Sequence, residues 1–237
     1  MNFTNLFASS IGKKFIMAIT GLLLFLFVVA HLAGNLQVFL GPEAINRYGN
    51  FLQTNIELIW PARIGLLVIV GLHIWAAIKL SAENRAARPQ AYAHYEVVAA
   101  SYASRTMLMS GLIILAFIIY HLLHFTAQVP GINFTGKNFA DLHDAKQQHD
   151  IFAMLVLGFQ NPLVAAFYVF AMFLLCLHLS HGLSAMFQSL GWKTPAYGPC
   201  LDRGARVVAW LIFAGYAIIP IAIQLGYGSS YLKEVLK

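Results

Sequence analysis

Five apolar runs, each long enough to cross a bilayer as a helix, alternate with shorter polar segments along the chain. A bilayer core takes roughly 20 apolar helical residues. The runs cover about 15–40, 58–80, 107–127, 162–188 and 207–225. Proline punctuates them. Pro61 lies near the start of the second run, and Asn161-Pro162 reads as an N-cap followed by proline in the first turn. Pro220 predicts a kink in the fifth run. A sixth apolar stretch, Ile151 to Phe159, is too short to span; Gly158 and Pro162 set it apart, and it predicts a short interfacial helix. No internal repeat or low-complexity segment appears. The pattern predicts one all-α domain over residues 1–237, an integral membrane bundle of five transmembrane helices.

Composition agrees with lipid as the main solvent. Hydrophobic residues make up 59% of the chain and charged residues only 10%, with a mean hydropathy of +0.71. Soluble domains do not have this balance. A net charge of +6 would point a soluble protein toward nucleic acid. In a membrane chain it marks cytoplasmic loops and anionic headgroups instead, so lipid is the expected partner and nucleic acid is not. The two cysteines, Cys176 and Cys200, are far apart and form no CxxC. They predict neither a disulfide framework nor a zinc site. The absence of CxxCH excludes covalent c-type haem. The first apolar run exceeds a signal-peptide core and lacks a small-residue cleavage site, so no cleavable leader is expected.

Loop charge predicts an orientation. Lys13 and Lys14 precede the first run. Lys79, Arg85, Arg88 and Arg105 lie around the loop between runs two and three. Lys193, Arg203 and Arg206 lie between four and five. The alternate loops are poorer in net positive charge, with Glu43, Arg47 and Glu57 in one and Lys137, Asp141, Asp144, Lys146 and Asp150 in the other. The N-terminus is therefore expected in the cytoplasm and the C-terminus outside.

Against this background four histidines stand inside four different apolar runs: His31, His73, His121 and His178. An ionisable group at membrane depth is costly and is by default functional. Helical rise gives each a depth. His31 lies 16 residues past Phe15 and His121 lies 16 past Arg105, both on outward-running helices. Each is then roughly 24 Å from the inner edge. His73 lies 13 residues past Trp60 and His178 lies 16 past Pro162, both on inward-running helices. The four sort into two pairs at two depths. Imidazole ligates iron, and one ligand from each of two facing helices can hold a haem between them. Bis-histidine ligation leaves no open position and suits electron transfer. Ala30, Gly34, Gly71, Ala76 and Gly182 flank the pairs and would leave room for a flat macrocycle, though small residues also pack membrane helices in general. His124 and His181 each follow a candidate by three residues on the same helix face, so spacing leaves either member of each couple as the ligand.

The residues that carry chemistry resemble the five-helix, two-haem cytochrome b anchor subunit of succinate:quinone oxidoreductases and fumarate reductases. The likeness runs through His31-Leu-Ala-Gly-Asn, Gly71-Leu-His73, Tyr120-His121-Leu, Asn161-Pro162 with Phe167-Tyr168, and His178-Leu-Ser-His181-Gly182-Leu. It covers nearly the whole chain through order and spacing, with no single motif specific on its own. The resemblance implies that His31 and His121 bind the iron of an outer haem b, and His73 and His178 that of an inner one. It selects His121 over His124 and His178 over His181. It further implies a flavoprotein and an iron–sulfur subunit on the cytoplasmic face, menaquinone as the membrane substrate, and the bacterial cytoplasmic membrane as the location. A higher oligomer of such a complex is compatible with it. Some fumarate reductases of this type carry a glutamate two residues before the fourth ligand for transmembrane proton movement. Cys176 stands there, which puts such a path in doubt.

Quinone chemistry needs a proton donor or acceptor beside the carbonyls and an apolar slot for the ring. Near the expected outer haem the candidates are Glu57, Arg63 and His149, with Glu43, His143 and Asp150 nearby. His124, His181, Arg105 and Lys193 are candidates for propionate or secondary haem contacts, together with Lys13 and Lys14 at the inner edge. The chain has no dicarboxylate site, flavin motif or cysteine cluster, so it is expected to act as the electron-transfer and quinone-binding subunit of a larger enzyme. Two other readings compete. One is the dihaem anchor of another quinone-linked dehydrogenase. The other is a haem-free transporter whose histidines relay protons.

Overall fold

In the computed structural model, which describes residues 3–87 and 102–236, the chain is built from helices, with no named strand among the described residues. The α-helices are α1 (Phe3–Ala8), α2 (Ser10–Leu36), α3 (Pro42–Thr54), α4 (Ile56–Ala86) and α5 (Tyr102–Arg105). They continue with α6 (Met107–His121), α7 (Ile151–Gln160), α8 (Pro162–Ser189), α9 (Gly198–Gln224) and α10 (Ser229–Val235). A 3-10 turn, Gln37–Leu40, extends α2, and a π-helical turn, Leu122–Thr126, extends α6.

Five helical segments are long and apolar enough to cross a membrane: Ser10–Leu40, Ile56–Ala86, Met107–Thr126, Pro162–Ser189 and Gly198–Gln224. They coincide with the five predicted runs. At most 33% of the most apolar window of any of them is buried within the protein. Leu67, Leu112, Phe170 and Leu211 all point outward. Apolar surface on this scale is stable only against lipid, and the chain is a multi-pass membrane protein.

Several boundaries differ from expectation for one physical reason: polar residues continue helices beyond the apolar core. Lys13 and Lys14 belong to α2, Arg85 to α4, and Arg203 and Arg206 to α9, rather than to loops. Arg88 lies outside the described residues. Asn161 caps α8 as expected, accepting from the backbone N–H of Leu163 at 2.9 Å. Pro220 sits inside α9.

The chain divides into two compact units. The first comprises Met1–Val28, Ala62–Leu112 and Cys176–Trp210. Its small core joins Ala18, Leu183, Met186 and Ala205. Phe7 packs its ring on Trp75 at 5.7 Å between centroids, and Lys13, almost wholly buried, pairs with Glu83.

The second unit comprises Val29–Pro61, Ile113–Leu175 and Leu211–Lys237. The core here is larger and centres on α7, whose residues from Phe152 to Phe159 are all buried. The expected short helix is present and is packed within the unit. A helix apolar on every side has no face to offer water and is buried whole. Polar pins hold it. Asp150, fully buried, accepts from the N–H of Ala153, from Asn46 Nδ2 at 3.0 Å and from the Tyr231 hydroxyl at 2.8 Å. Asn46 in turn accepts from the N–H of Phe152 at 2.9 Å. Gly49 lets α3 approach α7, because a Cβ there would stand 1.9 Å from Ile151 Cδ1. Neither α3 nor α10 was anticipated from hydropathy, since both are short and mixed in polarity.

Candidate functional site

The structure brings the four intramembrane histidines together as two pairs. In the second unit, His31 on α2 faces His121 at the end of α6, with ring centroids 5.8 Å apart and planes at 84°. In the first unit, His73 on α4 faces His178 on α8, with centroids 6.5 Å apart and planes at 61°. Each compact unit therefore holds one pair. All four rings are half-buried.

The spacing fits an iron between each pair. Metal–imidazole bonds are about 2 Å long. Two imidazoles holding one iron through Nε2 would therefore have centroids about 6 Å apart. Among the described residues no cluster of three or more His, Cys, Asp or Glu is arranged to bind a bare metal ion. A haem needs only two protein donors, because the macrocycle supplies the other four.

Hydrogen bonds in the first unit engage the Nδ1 atom of each ring. His73 Nδ1 lies 3.1 Å from Thr20 Oγ1. Thr20 donates its own proton back along its helix to the Ile16 carbonyl at 2.7 Å, so its oxygen lone pair faces the imidazole. With its proton on Nδ1, His73 would donate to that oxygen and keep a free lone pair on Nε2. His178 repeats the device. Its Nδ1 lies 3.3 Å from Ser110 Oγ, which has the Met107 carbonyl at 3.1 Å to donate to. Each hydroxyl residue is followed by a glycine beside the same ring. A Cβ at Gly21 would stand 3.3 Å from His73 Cε1, and one at Gly111 would stand 3.5 Å from His178 Cε1. The Thr20-Gly21 and Ser110-Gly111 steps thus orient and seat the two imidazoles.

The second unit holds its pair with aromatic groups. Phe117 stacks on His121 at 5.9 Å and 26°, and Tyr216 flanks His31 at 6.3 Å. Tyr168, on α8, brings its hydroxyl to 3.5 Å from His121 Nδ1 and 3.0 Å from His124 Nδ1. On α2, Asn35 donates to the His31 carbonyl at 2.7 Å, a bond within the same helix.

The flanking small residues differ in their surroundings. A Cβ at Gly71 or Gly182 would meet nothing within 4 Å, so both positions are open, and Gly71 lies on the exposed side of α4. Gly34 is not open: the space beside it is filled by the Tyr48 ring, 2.8 Å from where a Cβ would be.

The remaining candidates have definite places. Glu57 is exposed in the first turn of α4, and Arg63 is exposed two turns later. His149 is half-buried, with Nδ1 3.1 Å from the Leu142 carbonyl and Nε2 2.9 Å from the Gln128 side-chain amide. Burial holds its pKa below the ordinary histidine value. Glu43 pairs with Lys146, which lowers its carboxyl below the usual range. Asp150 is fully buried, with its carboxylate engaged by Ala153, Asn46 and Tyr231 at the start of α7. Lys193 lies between Asp202 at 2.7 Å and Ser184 at 3.0 Å. Ser184 follows His178 by six residues, roughly 9 Å along α8. His181 is half-buried on the same helix, and exposed Arg105 stands 6.0 Å from the Tyr102 ring centre.

No protein-family model, curated protein or solved structure matches the chain.

Proposed function

We propose that the chain is the dihaem cytochrome b membrane anchor of a succinate:menaquinone oxidoreductase in the bacterial cytoplasmic membrane. In this reading it passes electrons between an iron–sulfur subunit, docked with a flavoprotein on the cytoplasmic face, and menaquinone in the membrane. The observation that carries it is the two histidine pairs at iron-bridging separation, one in each compact unit.

When bound, haem b supplies a reversible one-electron couple at its iron. The chain's own residues do the rest. His31 and His121 would hold one iron, and His73 and His178 the other. Thr20 and Ser110 favour the Nδ1–H tautomer of the second pair, which presents Nε2 to the metal and strengthens it as a ligand. In a bilayer the apolar spans would keep water from both pairs, and a low-dielectric surround is one of the levers that set a haem's potential. Glu57, Arg63 and His149 stay candidates for quinone proton chemistry. Succinate oxidation and fumarate reduction run over the same path, and driving force sets the direction.

Purification from native membranes in mild detergent tests the assignment. The expected preparation shows b-type absorption bands, and its co-purifying partners carry covalent flavin and iron–sulfur clusters. Succinate should reduce the bands. A molybdenum or nickel partner would transfer the chain to another quinone-linked dehydrogenase. A colourless preparation would favour a haem-free transporter.

A further inference from the structure

The histidine pair of the second unit contains a third imidazole that iron ligation does not use. His124 is only 1% exposed, yet its Nε2 has no hydrogen-bond partner among the described residues. Such a group costs free energy and calls for an explanation. Its ring lies 4.0 Å from the Phe125 centroid and 5.6 Å from that of Phe139. Its Nδ1 is engaged with Tyr168 at 3.0 Å. Tyr168 is itself buried and also reaches His121 Nδ1.

The proton order of this chain follows from one requirement. If His121 gives Nε2 to iron, its proton sits on Nδ1 and is donated to the Tyr168 oxygen. The phenol has a single proton, and among the described residues His124 Nδ1, at 3.0 Å, is placed to accept it. The His124 proton is then on Nε2, which is the buried atom without a partner. The orphaned N–H is thus the end of a donor chain, and both imidazoles take their tautomers from one phenol. The π-helical turn Leu122–Thr126, directly after His121, places His124 on this phenol. Irregular turns of this type are frequent at functional sites.

We infer that Tyr168 and His124 act together as positioning residues for His121. His124 holds the phenol, and the phenol fixes the ring plane and the Nδ1 proton of the ligand. The inference rests on the reading of His121 as a haem ligand. It goes further in giving the two haems different supports: aliphatic hydroxyls on neighbouring helices for one, and a phenol backed by a third histidine for the other. It also makes His124 a support and never a ligand.

The test is electron paramagnetic resonance and redox titration of the purified complex, comparing wild type with Tyr168→Phe and His124→Phe. Tyr168→Phe should keep two haems per chain. It should shift the low-spin signal and raise the midpoint potential of the haem that His121→Ala removes, and leave the other unchanged. An imidazole whose Nδ1–H has lost its acceptor is a weaker donor to ferric iron, which gives the sign. His124→Phe should shift the same haem in the same direction by less, and this variant decides the question if Tyr168→Phe does not accumulate. Unchanged signals and potentials in the variants would overturn the inference, as would an equal shift of both haems. Loss of a haem in His124→Phe with retention in His121→Ala would exchange the two roles and overturn it too. A wild-type protein without haem would instead defeat the underlying reading.

Discussion

The Nδ1 of His73 is held 3.1 Å from the hydroxyl oxygen of Thr20, whose own proton is turned away to a backbone carbonyl. This contact orients the imidazole and favours its Nδ1–H tautomer. Removing the hydroxyl while keeping the shape should therefore weaken haem binding at that pair alone. Supporting hydrogen bonds to metal-bound histidine are typically worth about 10–100-fold in affinity. Thr20→Val, and likewise Ser110→Ala at His178, should raise the haem dissociation rate of the His73–His178 site by that order. A haem held by His31 and His121 would serve as the internal control. Transfer of haem to an acceptor globin measures both rates in one sample.

The ring planes predict a spectroscopic difference. His31 and His121 lie at 84°, while His73 and His178 lie at 61°. Axial imidazoles near perpendicular leave ferric d-orbitals close to degenerate and produce the more anisotropic low-spin spectrum. The haem lost in His31→Ala should be the one with the larger maximum g-value. Two signals of equal anisotropy would show that bound haem re-aligns the rings.

Asp150 separates a structural from a catalytic role. It receives hydrogen bonds from the start of α7, from Asn46 and from Tyr231. Asp150→Ala removes a helix cap and takes the carboxylate acceptor from Asn46 and Tyr231, a loss on the order of 2 kcal/mol. Thermal unfolding in detergent should show a clearly lowered midpoint. Haem content and quinone affinity of the folded fraction should stay unchanged.

His149 gives the segment between α6 and α7 a pH dependence of known sign. Burial lowers its folded-state pKa below the ordinary value of 6.5. Protonation therefore favours the opened state. The stabilisation is fully present above pH 6.5 and is lost as pH falls through and below it. Limited proteolysis between residues 127 and 150 should accelerate from pH 7 toward pH 5. His149→Gln, which cannot titrate, should flatten that profile. An unchanged slope in the variant would assign the acid sensitivity to another group.

Much of this architecture was legible in the chain because lipid imposes a length and a polarity on every spanning helix. The five runs follow from that constraint; loop charge and helical rise then sort the histidines into two depths, and the family resemblance chooses His121 over His124 and His178 over His181. Helix ends were less legible: Arg203 and Arg206 mark a boundary in hydropathy, but the backbone continues through them in α9. Helix α7 was visible as an apolar stretch, yet its burial depended on α3 and α10, which carry little hydropathic signal. The supports of the ligands were hidden for a different reason. A threonine or serine inside an apolar helix usually bonds its own carbonyl, and nothing in Thr20-Gly21 or Ser110-Gly111 names the imidazole on another helix. The only available cue was a hydroxyl–glycine step recurring in two spans.

The central claim is that each histidine pair binds one haem. A pyridine haemochrome assay on the purified chain, read beside single His→Ala variants, tests it most directly. The account predicts two haems per chain in the wild type. It predicts one each in His31→Ala, His73→Ala, His121→Ala and His178→Ala, with the first and third losing the same haem and the second and fourth the other. Fewer than two haems in the wild type, or retention of both in any of the four variants, would contradict it.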